Sequence, residues 1–127
     1  MIIRLPFPAR ELFPNRKNGK HWAATNSTKE SQRQAAYWLT KEAMQTAKAQ
    51  WPEGNIPLSL VYLTPDKRKR DADNMLAASK ALLDGMAKAL NVDDSRFKPI
   101  LVDWALGPKE GALVAAVGIS IVSGTSL

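Results

Sequence analysis

The sequence predicts an α+β domain in which a mixed sheet is covered by two helices. Two observations support this prediction: apolar, β-branched residues cluster in four short segments, and apolar residues recur at helical spacing in two longer ones. Their order along the chain is strand, helix, strand, helix, strand, strand (βαβαββ), and strand–helix–strand units favour parallel neighbours. A length of 127 residues corresponds to a single domain, which we expect to span residues 1–127.

The first half of the chain contains one predicted strand and one predicted helix. Met1–Phe7 is short, β-branched and bounded by prolines, which is typical of a strand, and residues 8–26 are rich in turn formers. Ser27 and Glu30 have the spacing of a capping box, so we expect a helix to begin at Ser27 and to reach about Gln50. The expected apolar stripe of this helix comprises Ala36, Leu39, Ala43 and Ala47, with Tyr37 and Met44 at its edges.

The second half of the chain contains three predicted strands and one predicted helix. Leu58–Leu63 is the second strand, and a helix covers about Asp73 to Leu90. Ile100–Leu106 and Ala112–Val122 are the last two strands, with Gly107–Gly111 as a hairpin between them. The final strand is apolar almost throughout, which fits an interior strand covered on both faces or a face used in a dimer. The expected buried stripe of the second helix is Met75, Ala78, Leu82, Met86 and Leu90.

The composition excludes several classes of protein. The chain has no cysteine and one histidine, which rules out a disulfide scaffold, a thiolate zinc site, an iron–sulfur cluster, a cysteine nucleophile and a multi-histidine metal site. No apolar run approaches the ~18–20 residues of a membrane span, so no membrane partner is expected. Arg4 interrupts the apolar opening run, which argues against a secretion signal and favours a cytoplasmic protein.

The formal net charge of +6 is concentrated in two short segments. Residues 10–20 have a net charge of +3 and residues 67–70 a net charge of +4, whereas the rest of the chain sums to −1. Concentrated positive charge predicts a polyanionic partner, first nucleic acid and second anionic lipid, although a solvated basic loop is the simpler alternative. The candidate nucleic-acid-binding residues are Arg16, Lys17, Lys20, Lys67, Arg68, Lys69 and Arg70.

Carboxylates directly follow the second basic segment. Asp71 and Asp73 lie at the start of the second predicted helix, and the pair Asp93–Asp94 follows its end. Oxygen ligands without nitrogen or sulfur favour Mg²⁺, with Mn²⁺ as a second possibility, so we predict a metal site formed by Asp71, Asp73 and Asp94. Such an ion next to phosphate-binding cations would suit phosphodiester cleavage. The alternative is that these residues only cap helices and form turns.

This arrangement resembles the RusA-type Holliday-junction resolvases, which are small phage- and prophage-associated endonucleases. The resemblance rests on the basic run, the Asp71-x-Asp73-Asn74 motif that opens a helix, and the Asp93–Asp94 pair after it, and it extends from about Leu58 to Asp103. It implies a homodimer that binds four-way DNA junctions and makes paired, symmetric nicks with Mg²⁺. The metal-binding acids of the family fall on Asp71, Asp73 and Asp94.

Two positions depart from the family pattern: Arg96 stands where a glutamine is common, and the other concerns a lysine. The family usually has a lysine one helical turn after the second aspartate of the motif, and here that position is Ala77. Lys80 lies close to two turns after Asp73, so we include it among the candidate catalytic residues; the alternative is a surface pair of Lys80 with Asp84. Because of this departure, a non-catalytic protein that binds branched DNA or other nucleic acid remains the competing hypothesis.

Overall fold

The computed structural model of the protein describes residues 1–14, 22–47, 51 and 53–118, with nothing stated for the side chains of residues 22–24. Four strands and three α-helices lie along these residues in the order βαβααββ. Two short 3₁₀-helices, Arg10–Leu12 and Asp94–Arg96, accompany them. The elements are β1 (Ile2–Leu5), α1 (Trp22–Ala47), β2 (Ile56–Thr64), α2 (Ala72–Ala78), α3 (Lys80–Leu90), β3 (Phe97–Leu106) and β4 (Ala112–Val117).

The strands form one mixed sheet in the order β1–β4–β2–β3, which confirms the predicted α+β class. Strands β2 and β3 are parallel, whereas β4 is antiparallel to both β1 and β2. The apolar strand β4 therefore lies in the interior of the sheet, as one of the two readings of its sequence predicts. Strands β1 and β3 form the two edges.

The predicted hairpin between the last two strands is wrong, because β2 lies between β3 and β4. Residues 107–111 instead carry the chain across the end of β2, where the Gly107 N–H donates to the carbonyl of Thr64 at 2.8 Å. Burial explains the difference. The almost wholly apolar β4 takes an interior position, and β3, whose side chains are largely exposed, takes the edge.

Helix α1 begins before the predicted capping box, at Trp22 and not at Ser27. Almost three turns into the helix, the side chain of Gln32 accepts the Ala9 N–H at 3.1 Å, which ties α1 to the segment after β1. The buried stripe also differs from the prediction. Ala36 and Thr40 are completely buried, whereas Leu39 and Ala47 are exposed, so the helix is rotated relative to the predicted stripe.

The second predicted helix is two helices, because the chain breaks regular α-geometry at Ser79. The Ser79 Oγ donates to the carbonyl of Met75 at 2.7 Å, and the Tyr62 hydroxyl lies 2.6 Å from that Oγ. A serine hydroxyl bonded to the carbonyl four residues earlier competes with the helix backbone. The predicted stripe is nevertheless confirmed on both sides of the break, where Met75, Ala78, Leu82, Met86 and Leu90 are all buried.

One face of the sheet meets the helices and forms the core. Sheet residues such as Leu60, Tyr62 and Leu113 share this core with Ala36 of α1 and Met86 of α3. No helix within the described ranges is long and apolar enough to cross a membrane.

Helices α1 and α3 are packed so closely at Gly85 that their backbones are in contact. A Cβ atom added at Gly85 would lie 2.1 Å from the carbonyl oxygen of Arg33 and 3.1 Å from the Cβ of Ala36. Only glycine fits between these atoms. Gly85 therefore fixes how α3 lies on α1, and with it the direction of the polar side chains on the outer side of α3.

Candidate functional site

The first part of the candidate site is the loop–helix junction, which we define as residues 65–73. Asp71 is the N-cap of α2, and its Oδ1 accepts the backbone N–H of Asp73 at 2.9 Å. Asp73 lies in the first turn of α2, and both carboxylates are exposed. The sequence prediction that these acids open a helix is therefore confirmed, and Asp71 performs the capping role that the alternative interpretation gave it.

Arg70 folds the junction back on itself. Its Nη1 donates to the Oδ1 of Asp66 at 3.0 Å and to the carbonyls of Asp66 and Arg68 at 3.2 and 3.1 Å. Its guanidinium lies 5.8 Å from the ring centroid of Phe7, and its side chain is only 12 % exposed. The backbone N–H of Arg68 and the Arg70 guanidinium both lower the pKa of Asp66. Arg70 is thus engaged in holding the loop.

The other three cations of the basic run face solvent. Lys67, Arg68 and Lys69 are exposed, and Arg68 approaches Asp66 at 3.4 Å with 63 % of its side chain accessible. An exposed ion pair of this kind contributes little to stability. These side chains therefore remain accessible to an anionic partner.

The second part is the Lys80–Asp94 cluster, which we define as Lys80, Asp84 and Asp94. Lys80 Nζ lies 4.0 Å from Asp94 Oδ2. This ion pair links the first residue of α3 to the turn that follows the end of α3. Asp84 is partly buried, and burial raises the pKa of its carboxyl; a hydrogen bond with the Asp94 carboxyl raises it further, while the charge of Lys80 acts in the opposite direction. The carboxyl groups of Asp84 and Asp94 and the ammonium group of Lys80 thus lie close together on the outer side of α3.

The turn that carries Asp94 is fixed at both ends. Asp93 caps the short 3₁₀-helix, and its Oδ1 accepts the Ser95 N–H at 2.9 Å, which is the main reason that the pKa of Asp93 is lowered. Arg96 Nε donates to the carbonyl of Gly54 at 2.9 Å. Asp93 therefore serves as a cap, whereas Asp94 projects toward Lys80 and Asp84.

Two surface depressions meet at the Lys80–Asp94 cluster. One is a cleft of about 450 Å³ between the first 3₁₀-helix, α1 and the α2–α3 pair, lined among others by Lys29, Ala77, Lys80 and Asp84. The other, of about 580 Å³, is lined by residues that include Asp84 and Asp94. Ala77, where the family pattern has lysine, thus lines the same cleft as Lys80. Lys80 therefore lines the cleft that a lysine at position 77 would line, and its ammonium group lies 4.0 Å from Asp94 at the neighbouring depression.

The predicted site residues fall into these two parts and a third group that lies outside the described residues. That third group consists of Arg16, Lys17 and Lys20. Within residues 1–14, 22–47, 51 and 53–118, no three acidic or histidine side chains are grouped so that they could hold a metal ion. Asp71 and Asp73 therefore do not form a ready-made ligand set with Asp94.

Asp84 is the residue that sequence reasoning missed. Its spacing of four from both Lys80 and Lys88 indicates ordinary surface pairs, which hides its approach to Asp94. One feature of the sequence could have indicated this approach. The turn that follows a helix ending at Leu90 can fold back against the outer face of that helix. A carboxylate on that face can then meet one in the turn.

Comparison with known proteins gives one relative of unassigned role. No protein-family model matches the chain. A protein from Xylella fastidiosa (strain Temecula1 / ATCC 700964), described as "Uncharacterized protein", is 32% identical to this chain over 103 residues. The match covers 80% of this chain and 66% of the relative, so the chain spans just under two thirds of that protein's length.

Proposed function

We propose that the protein is a metal-dependent endodeoxyribonuclease that cleaves four-way DNA junctions as a homodimer in the cytoplasm. The observation that carries this proposal is the meeting of Lys80 with Asp94 beside the cleft that Ala77 lines. A lysine close to a carboxylate and a surface cleft can stabilise the developing charge of a phosphate in transfer. The resemblance to RusA-type resolvases supplies the expected substrate and the paired nicks.

The chemistry of the three predicted ligands suits a hard divalent cation, which would have to draw together carboxylates that are not grouped in the described residues. Asp71, Asp73 and Asp94 offer only oxygen ligands, as Mg²⁺ and Mn²⁺ prefer. Burial, and after it the hydrogen bond with the Asp94 carboxyl, raises the pKa of Asp84, and a cation there would relieve the repulsion between the two carboxyl groups when both are ionised. We propose Asp71, Asp73 and Asp94 as ligands, with Asp84 beside Asp94. A bound Mg²⁺ would polarise the scissile phosphate.

The basic run would hold the DNA next to these acids. Lys67, Arg68 and Lys69 are exposed and suited to phosphate contacts, which position a duplex without reading its sequence. Arg70 stays a predicted contact, but its bonds to Asp66 suggest that it acts chiefly by presenting the other three cations. Arg16, Lys17 and Lys20 complete the predicted DNA-binding set.

A junction-cleavage assay tests the proposal. The wild-type protein should nick a synthetic four-way junction in Mg²⁺ or Mn²⁺ and not in EDTA. Asp71→Asn should lose cleavage by at least about a hundredfold, or ~2.7 kcal/mol in the barrier. It should bind the junction as tightly or more tightly, since one negative charge near the phosphates is removed. Glu110→Gln, which also neutralises one exposed carboxylate, should cleave at the wild-type rate.

A non-catalytic nucleic-acid-binding protein is the second candidate. It is favoured by the hydrogen bond of Asp71 to the Asp73 N–H, because a cap alone accounts for that residue. This candidate predicts junction binding with a steep salt dependence but no nicking at any Mg²⁺ or Mn²⁺ concentration. Binding without nicking by the wild-type protein would therefore overturn the enzyme proposal in favour of this one.

A further inference from the structure

The cleft beside Ala77 has apolar side chains in its lining. Leu12 of the first 3₁₀-helix and three alanines of α2 and α3, Ala77, Ala78 and Ala81, form this part of it. Ala77 is exposed, whereas the other three are buried. Because an alanine side chain ends at Cβ, these positions leave room in the cleft, whose volume is about 450 Å³. Ligand pockets in proteins have volumes of roughly 300 to 1,000 Å³.

Three cationic side chains line the same cleft from two helices. Lys29 and Arg33 belong to α1, and Lys80 is the first residue of α3. Lys29 and Arg33 are four residues apart, which places them on one side of α1. Glu11 and Asp84 are the acidic side chains of the lining. The cleft therefore carries more positive than negative groups.

The cations of the cleft differ in how far their charge is already matched. Burial is the main cause that raises the pKa of Asp84, and the charges of Lys80 and Arg33 act on it in the opposite direction. Arg33 also forms an ion pair with Glu30. Within the described ranges of the chain, Lys29 forms no ion pair. The ammonium group of Lys29 is therefore the cation of this lining that best suits an anionic ligand.

The packing of α1 on α3 sets the separation of the backbones that carry these cations. The two helices touch at Gly85, where an added Cβ atom would lie 2.1 Å from the Arg33 carbonyl oxygen. Lys29 lies about one turn before that contact in α1, and Lys80 lies about one and a half turns before it in α3. Both cations are thus held at the cleft by the core before any ligand binds.

We propose that the cleft binds one phosphodiester of the DNA through the ammonium groups of Lys29 and Lys80, with the sugar of that nucleotide against the alanines of α2 and α3. This inference rests on the proposed function, which supplies DNA as the polyanion. Lys80 follows Asp73 by seven residues, or about 10 Å along consecutive helices. Phosphates of one strand recur every ~3.4 Å of the duplex axis, so the bound phosphate lies about three nucleotides from the acids.

The shape of the surface favours a DNA strand over a free nucleotide. Asp84 lines both the cleft and the neighbouring depression of about 580 Å³, so the two adjoin at this residue. A polymer that lies in the cleft can continue along the depression, whereas a free nucleotide would occupy only one of them. Lys29 is a new candidate contact, since it lies outside both basic segments of the sequence.

Binding to a fluorescent four-way junction tests the inference in EDTA, which withholds the metal that cleavage would require. Lys29→Ala should raise the Kd at least about threefold and should lower the slope of log Kd against log salt by about 0.9, the value for one phosphate contact. Lys41→Ala removes the same charge more than three turns later in α1, at a residue that does not line the cleft. It should bind the junction like the wild type.

A second variant tests the cleft without altering charge. Ala77→Trp fills the cleft from an exposed position, so the protein should fold and the Kd should rise at least about threefold. Ala47→Trp, at the exposed end of α1, should bind the junction like the wild type. Circular dichroism of both variants checks that the fold is kept.

Four results would each overturn the inference. They are an unchanged salt slope in Lys29→Ala, an equal loss in Lys41→Ala, wild-type binding by Ala77→Trp, and displacement of the junction by a free deoxynucleoside monophosphate. Junction binding without nicking in Mg²⁺ would count against the nuclease proposal only, because the Kd and the salt slope do not depend on cleavage. A wild-type protein that binds no DNA would overturn both.

Discussion

The loop–helix junction and the Lys80–Asp94 cluster contain the same kinds of side chain but are built in different ways. In the junction, Arg70 and Asp71 bond to residues at most four positions away. In the cluster, Lys80 reaches Asp94, which follows it only after α3 has ended. The hydrogen bonds of the junction are thus local in sequence, although the Arg70 guanidinium also lies over the Phe7 ring, whereas the cluster exists only when α3 is correctly placed. Any chemistry performed by the Lys80–Asp94 cluster therefore depends on the stability of the core.

The largest expected effect comes from Gly85, which places α3 against α1. Gly85→Ala introduces a methyl group 2.1 Å from the Arg33 carbonyl oxygen, so the two helices must separate. Overpacking of this kind costs about 2–3 kcal/mol, which urea unfolding followed by circular dichroism would measure. The shift should also move the neighbouring Asp84 and so disturb the cluster while leaving the junction in place.

Asp71→Ala is the matched change in the junction. Loss of this N-cap should cost about 1 kcal/mol, because only the first turn of α2 depends on it. The conclusion that the junction is held locally and the cluster by the core would be wrong if Asp71→Ala destabilised the protein as much as Gly85→Ala does. Equal destabilisation would mean that the junction also depends on the core.

How far the site could be predicted from sequence follows the same division. The Asp71 cap and the exposure of Lys67 and Lys69 arise from residues close in sequence, and short-range patterns predict them. The pairing of Lys80 with Asp94 does not arise from such a pattern, because i,i+4 spacing points equally well to Asp84. Only the path of the chain after Leu90 decides between the two partners.

Prediction of the fold from sequence is limited in the same way, because short-range patterns do not show contacts between distant elements. Hydrophobic periodicity predicted the stripe that includes Met75 and Leu82 through both α2 and α3, since burial follows the helical period directly. It could not reveal the break at Ser79, where the side chain contacts the Tyr62 hydroxyl of the distant strand β2. The short loop of residues 107–111 suggested a hairpin, but the position of β2 between β3 and β4 is decided by which strand has two apolar faces.

The titration of Tyr62 tests whether its hydroxyl, which contacts Ser79 at the break between α2 and α3, connects the loop–helix junction to the Lys80–Asp94 cluster. Burial raises the pKa of Tyr62 to about 12, so the folded state keeps this proton in a range where the unfolded state, with an ordinary pKa near 10, releases it. The corresponding stabilisation is complete below pH 10 and is lost as the pH rises toward 12. The free energy of unfolding should therefore fall by up to ~2.7 kcal/mol over this window.

Urea unfolding at a series of pH values measures this fall. Tyr62→Phe should remove it and should cost about 1 kcal/mol at pH 7 through the lost hydrogen bond, whereas Tyr37→Phe should leave the alkaline fall intact. A Tyr62→Phe protein with the wild-type alkaline profile would show that this hydroxyl does not titrate with unfolding and would remove Tyr62 as the link between α2 and α3.

The smallest expected change in free energy is at Lys80, and it separates catalysis from stability. The Lys80 ion pair spans 4.0 Å between side chains that are 75% and 43% exposed, so its loss should change the free energy of unfolding by less than ~0.5 kcal/mol. If Lys80 supplies the cation that Ala77 lacks, Lys80→Ala should still slow junction cleavage tenfold or more, or ~1.4 kcal/mol. Lys80→Arg should recover part of the rate, and Lys88→Ala, on the same helix, should cleave like the wild type. A loss below twofold in Lys80→Ala would make Lys80 a surface partner of Asp94 and leave the basic run of the junction as the source of the catalytic charge.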